Sequence, residues 1–131
     1  MNQLNGTQVA LWTKGPLRLA ALENALSRLG CEVRRTDSFA RLSQWVTSHA
    51  VDLVVTWLSA EDQDAVELVT WLDEISGAPP VLLVYGALEM DLYLEVMRRG
   101  AFDCIGVPVD KTELARIVGA AVDSLRARQC A

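Results

Sequence analysis

The sequence predicts an α/β domain with a doubly wound parallel sheet of five strands and five helices, and three observations carry that expectation. Short apolar segments alternate with segments whose apolar residues recur at helical spacing, five of each between Gln8 and Leu125. The breaks between them fall on glycine and proline, at Lys14-Gly15-Pro16, Gly30, Gly77-Ala78-Pro79-Pro80 and Gly100. Val81–Tyr85 (VLLVY) is apolar throughout, as in strands covered by helices on both faces of a parallel sheet.

Gln8–Trp12 (QVALW) reads as the first strand, and Leu17–Leu29 as the first helix, with Leu19, Leu22, Ala25, Leu26 and Leu29 on one face. Gly30 stands where a left-handed helix stop wants glycine, and Cys31–Thr36 (CEVRRT) alternates like a short strand. Asp37 or Ser38 can cap a second helix, Phe39–His49, whose inner face holds Leu42, Trp45 and Val46. Asp52–Thr56 (DLVVT) is the third strand. An acidic loop then leads to a helix over Ala65–Ile75, with Val66, Val69, Leu72 and Ile75 inward. Val81–Tyr85 precedes a fourth helix, Glu89–Arg99, which ends at Gly100, and Asp103–Gly106 forms the fifth strand. Asp110 opens the last helix, with Glu113 at capping-box spacing and Leu114, Ile117, Val118, Ala121, Val122 and Leu125 inward. Right-handed crossovers in such a sheet put the working site at the C-terminal ends of the strands.

Composition narrows the function. With 131 residues the chain suits one domain, 1–131, with a core over about 8–126, and 51% apolar residues give it enough surface to bury. Seventeen acidic against twelve basic residues leave a net charge of −5, which argues against a phosphate-backbone binder. The basic doublets Arg34-Arg35 and Arg98-Arg99 read as solvated surface. No apolar run approaches the roughly 20 residues of a membrane span, and Met1–Gln8 lacks a secretory pattern, so a cytoplasmic protein without membrane contact is expected. Cys31, Cys104 and Cys130 are odd in number and lack metal-ligand spacing, so reduced thiols are expected and no metal or other cofactor is implied.

Met97-Arg98-Arg99-Gly100-Ala101-Phe102-Asp103-Cys104-Ile105-Gly106-Val107-Pro108 resembles the M-R-x-G-A-x-D-Y-L-x-K-P run of the receiver domains of two-component response regulators. Val51-Asp52-Leu53-Val54-Val55 is similar to the lead-in to that family's phosphorylated aspartate, and Asp64-Ala65-Val66-Glu67-Leu68 to the opening of its third helix. The likeness covers Val9 to about Leu125, and implies a flavodoxin-like sheet of strand order 2-1-3-4-5. By the same resemblance, the Mg²⁺-binding acid pair falls on Thr13 and Lys14, the phospho-acceptor on Trp57, the Thr/Ser position on Tyr85 and the Lys position on Val107. The family's mobile aromatic on the fifth strand is replaced by Cys104, and the retained proline implies a cis bond before Pro108.

These replacements imply a non-catalytic pseudo-receiver: an interaction module of a bacterial transcription regulator that works without aspartate phosphorylation. Its expected partner is a protein or output domain, and the chain is read either as the N-terminal part of a longer regulator or as a stand-alone adaptor. A homodimer is expected through the face of the fourth helix, fifth strand and fifth helix, with Leu92, Tyr93 and Val96 at its centre and Arg98, Arg99, Asp103, Lys111 and Arg116 around it. The competing expectation for that face is that Leu92 and Val96 simply point at the sheet.

Thr13, Trp57, Tyr85 and Val107 should meet at the sheet's C-terminal edge, either as packed rim or, alternatively, as a small-molecule pocket. Lys14 either reaches Asp62 or Asp64 or stays solvated. Glu61, Asp62 and Asp64 read as a solvated helix N-terminus. His49 reads as a helix-end residue, and Trp12, Trp45 and Trp71 as packing residues. Of two substitute phospho-acceptors, Thr56 lies inside a strand and Ser59 has no neighbouring base.

Overall fold

The period of two in the strands divides the core. In β1 (Gln8–Trp12), Val9 and Leu11 face one helical layer while Ala10 and Trp12 face the other. The same alternation runs through β3 (Leu53–Trp57), with Leu53 and Val55 against Val54, and through β4 (Val81–Tyr85), with Leu82 and Val84 against Val81 and Leu83. The computed structural model describes residues 4–14, 19–61 and 63–130, with side chains described as far as 127.

β2 (Glu32–Thr36) and β5 (Asp103–Gly106) complete a parallel sheet of order β2-β1-β3-β4-β5, the order that the resemblance implies. Gln8 pairs with Glu32, Val9 with Leu53, Val54 with Val81 and Leu82 with Asp103. β2 is mostly exposed and carries Glu32, Arg34 and Arg35, charges that protect an edge strand from pairing with other chains.

α1 (Ala20–Arg28) and α5 (Lys111–Cys130) cover one face through Leu22, Leu26, Leu114, Ile117, Val118 and Ala121. α2 (Phe39–Thr47), α3 (Asp64–Asp73) and α4 (Met90–Arg99) cover the other, burying Leu42, Val46, Leu68, Val69, Leu72 and Val96. The core reaches closer to the N-terminus than a boundary at residue 8: Leu4 is buried against the α1/α5 layer, and the Gly6 N–H donates to the Gly30 carbonyl at 2.9 Å.

Several boundaries differ from the sequence reading. Leu17 and Arg18 lie outside the described residues, and the observed first helix begins at Ala20, although Leu19 is itself buried. The second helix stops at Thr47 because His49 adopts φ 58°, closing the end with bonds from the His49 N–H to Val46 and from the Ala50 N–H to Trp45. Ser38, rather than Asp37, caps that helix by accepting from the Arg41 N–H at 3.2 Å. Asp110 caps α5, accepting from the N–H groups of Thr112 (2.8 Å) and Glu113 (3.1 Å). β3 runs one residue later at each end than the expected Asp52–Thr56 and closes on Trp57.

Candidate functional site at the C-terminal edge of the sheet

Parallel strands deliver Thr13, Lys14, Trp57, Tyr85 and Val107 to one edge, and each is then fixed by its neighbours. The Thr13 N–H donates to the Thr36 carbonyl at 3.1 Å, which continues the β1–β2 ladder past Trp12. Lys14 Nζ lies 2.6 Å from Asp64 Oδ2, at the first turn of α3. Asp62, the other acid within its expected reach, lies outside the described residues. The Lys14 side chain is 68% exposed, so the pair contributes at most about 1 kcal/mol.

The two aromatic residues at the edge lie across glycines at the end of the neighbouring strand, Gly86 just past β4 and Gly106 in β5, rather than facing each other. The Trp57 ring passes 3.4 Å from the point where a Cβ on Gly86 would sit. Tyr85 does the same over Gly106, with ring carbons at 3.1 and 3.2 Å from the equivalent point. Trp57 packs against the α1/α5 core and Tyr85 against the α2–α4 core, so their bodies go to opposite faces of the sheet. Val107 donates its N–H to the Tyr85 carbonyl at 3.0 Å, is 36% exposed, and is followed by a cis peptide to Pro108.

The two substitute acceptors sit in different surroundings. Thr56 is 3% exposed and its hydroxyl donates to the Trp12 carbonyl at 2.7 Å, a bond that ties β3 to β1. Ser59 accepts from the Glu61 N–H at 3.2 Å within the loop. Among the described residues, no three His, Cys, Asp or Glu side chains come together where a metal ion could be held.

Burial pushes the Cys31 thiol up to about 11, with the Asp52 charge adding to it, and pushes Cys104 up to about 12, with Asp103 adding to it. Both are protonated, poor nucleophiles near neutral pH. Cys130 carries no described side chain.

On the α4 face, Leu92 and Val96 follow the competing expectation and point at the sheet rather than forming the centre of an exposed surface. Val96 is fully buried against the sheet and is not part of an exposed surface, while Leu92 is half-buried and packs on the same core. The apolar residues that do reach solvent are Met90, 59% exposed, Leu94, 49% exposed, and Leu88 just ahead of the helix. Met90 and Leu94 are four apart and so share a face. Tyr93 and Asp103 are half-buried, and Asp103 accepts from the Cys104 N–H at 2.8 Å. Arg98, Lys111 and Arg116 are exposed. Arg99 bonds Thr70 Oγ1 at 2.8 Å and pairs with Glu95 at 3.2 Å, which fastens α4 to α3.

The sequence reading missed an aromatic cavity between α2 and α3. Trp12, Phe39 and Trp71 form an edge-to-face chain, with ring centroids 5.5 and 5.0 Å apart, along a cavity of about 370 Å³. Asp64, Glu67, Leu68 and Trp71 also line it, a helical stripe at i, i+3, i+4 and i+7 that was legible in principle. Thr13 lines a neighbouring cavity of about 330 Å³ with Arg35 and Arg41. From β2, Arg34 stacks on Trp45 of α2 at 5.4 Å, and the next residue, Arg35, pairs with Glu23 of α1 at 3.5 Å.

Sheet order, helix placement and the edge geometry together define the class. The response regulator receiver domain family matches residues 15–119, and the chain belongs to that family. Among curated proteins it is 34% identical over 101 residues to the DNA-binding transcriptional regulator NtrC of Rhizobium meliloti, a match covering 77% of this chain and 21% of that protein. It is 24% identical over 101 residues to the response regulator protein PilR of Pseudomonas aeruginosa, covering 77% of this chain and 23% of that one. The chain thus matches about a fifth of the length of these relatives. Among solved structures, a response regulator from Thermotoga maritima superposes with a TM-score of 0.77 at 19% identity, over 90% of this chain and 98% of that one. The signal receiver domain of an HD domain-containing protein from Pseudomonas fluorescens gives 0.78 at 18% identity, over 94% and 99%. No helix among the described residues is long and apolar enough to cross a membrane.

Proposed function

We propose that this receiver domain takes no phosphoryl group and acts as a pseudo-receiver, a non-enzymatic module that signals through protein contacts. The observation that carries the reading is Trp57 at the end of β3, packed over Gly86 where the family's resemblance puts the phospho-acceptor. An indole offers neither a carboxylate nor a nucleophilic oxygen. The neighbouring positions support it: Mg²⁺ asks for hard oxygen ligands in an octahedral array, and Thr13 and Lys14 supply one hydroxyl and one ammonium already paired with Asp64. These residues do not fit the metal. Phosphoryl transfer rests on positioning and charge neutralisation, and Tyr85 and Val107 provide no cation for it.

The setting we infer is the cytoplasmic regulatory domain of a transcription regulator, in line with relatives named as DNA-binding transcriptional regulators. Nucleic-acid contact would then belong to an output domain rather than to this acidic module with net charge −5. Self-association would use the exposed Met90 and Leu94 of α4, with Arg99 and Arg116 toward the rim. Beryllofluoride with Mg²⁺ tests the reading: the tryptophan emission, to which Trp57 contributes, is expected to stay unchanged, and a saturable change would oppose it.

A further inference from the structure

We propose that the aromatic cavity between α2 and α3 binds a small organic cation, an alkylated ammonium compound carrying a hydrogen-bond acceptor. Three features of its wall ask for that chemistry. The first is the run of ring faces and edges from Trp12 through Phe39 to Trp71, of which Phe39 is 41% exposed and accessible from solvent. Aromatic faces attract a cation that is only weakly hydrated, and alkylated ammonium groups are the usual ligands of such cages.

The second feature is charge. Among the described residues, the cavity is lined by Asp37, Asp64 and Glu67 and by one cation, Lys14. Lys14 is held by Asp64 at 2.6 Å, whereas Asp37 and Glu67 have no ion-pair partner among the described residues. Glu67 is therefore left to face a ligand, with Asp37 beside it on the rim shared with the cavity that Arg35 and Arg41 line, and an anionic or neutral ligand would forgo their attraction.

The third is Trp12, which is 7% exposed and whose indole N–H is buried with no hydrogen-bond partner among the described residues. A buried donor left unmade is costly, and a small movement of the cavity wall that uncovers it would let a ligand oxygen beside the cationic centre satisfy it. A volume of about 370 Å³ holds such a molecule with room for a further substituent. The cavity shares Lys14 and Asp64 with the edge, but none of its three features draws on Trp57, Tyr85 or Val107.

The test is a titration followed by the indole N–H signals in a ¹⁵N-correlated NMR spectrum, each assigned by Trp→Phe substitution. Three probes are compared: choline, tetramethylammonium, and 3,3-dimethylbutan-1-ol, the neutral carbon isostere of choline. Choline is expected to shift the Trp12 and Trp71 signals saturably and leave Trp45 and Trp57 in place. The neutral alcohol should bind about tenfold more weakly or worse, the worth of one partly desolvated cation–π contact together with the carboxylates. Tetramethylammonium should fall between them, having the charge but no oxygen for Trp12. An Asp37→Asn/Glu67→Gln double variant, altered only at exposed side chains, should lose about tenfold in choline affinity while its affinity for the alcohol is unchanged. Absence of any saturable shift, equal binding of choline and the alcohol, or unchanged choline binding by the double variant would each overturn the proposal.

Discussion

Gly100 closes α4 with φ +115°, donating its N–H to Met97 at 3.3 Å while Ala101 donates to Val96 at 3.0 Å. Gly100→Ala acts there in two ways. The left-handed backbone costs a non-glycine residue about 1–2 kcal/mol. The new Cβ would also sit 2.7 Å from Asp73 Oδ1 and 3.3 Å from its Cγ, so the carboxylate has to move. Asp73 is exposed and can swing aside, which makes the second cost the smaller one, roughly 0.5 kcal/mol for an off-rotamer side chain. The sum is about 2 kcal/mol, or roughly 6–10 °C in Tm for a domain of this size. Urea unfolding of wild type, Gly100→Ala, Asp73→Ala and the double variant separates the two contributions. In the Asp73→Ala background, Gly100→Ala should still cost more than about 1 kcal/mol, because the backbone strain remains. A cost below about 0.5 kcal/mol in both backgrounds would refute the strain argument.

The remaining predictions concern the edge, the thiols and the α4 face. A double-mutant cycle on Lys14→Met and Asp64→Asn should give a coupling of about 0.2–1 kcal/mol that vanishes in 1 M salt; a larger, salt-resistant value would mean that the pair is buried. Cys31 is raised in the folded state, so its contribution is present in full below about pH 9, where the unfolded thiol ionises, and is lost as pH rises toward about 11. Between those limits, stability measured in a Cys130→Ser background should fall by up to about 1.4 kcal/mol per pH unit more than in Cys31→Ala/Cys130→Ser; equal slopes would contradict the burial. Light scattering over a concentration series should show dimers at high micromolar concentration that Met90→Glu/Leu94→Glu abolishes. A monomer mass throughout in the wild type would refute self-association on this face.

The parts of the fold that were legible are those whose local patterns agree with each other. Val81–Tyr85 reads as a central strand because five apolar residues in a row fit only a sheet covered on both faces, and it is β4, between β3 and β5. Gly30 and Gly100 mark helix stops through their positive φ, whereas His49 does the same work without the glycine signal, and the helix before it is shorter than its periodicity implies. Val96 was misplaced because helical spacing gives a stripe but not its phase against the sheet: α4 buries only this residue, and Met90 and Leu94 lie on the side left to solvent.

The edge residues could be numbered from the resemblance, but their directions could not. Whether Trp57 and Tyr85 face each other depends on which side of the pleat each strand ends, and only the three-dimensional register shows the rings lying on Gly86 and Gly106. The α2–α3 cavity joins residues of β1, α2 and α3 that are far apart in the chain, so no local window contains it.

The proposal that no phosphoryl group is taken up rests on an edge where Trp57 stands at the position the resemblance gives the acceptor, Lys14 holds Asp64, and Thr56 spends its hydroxyl on Trp12. Incubation of the chain with acetyl phosphate and Mg²⁺, followed at once by intact-mass measurement, tests it most directly. The mass of the unmodified chain is expected at every time point; a stoichiometric phosphoryl adduct on any residue would contradict the proposal.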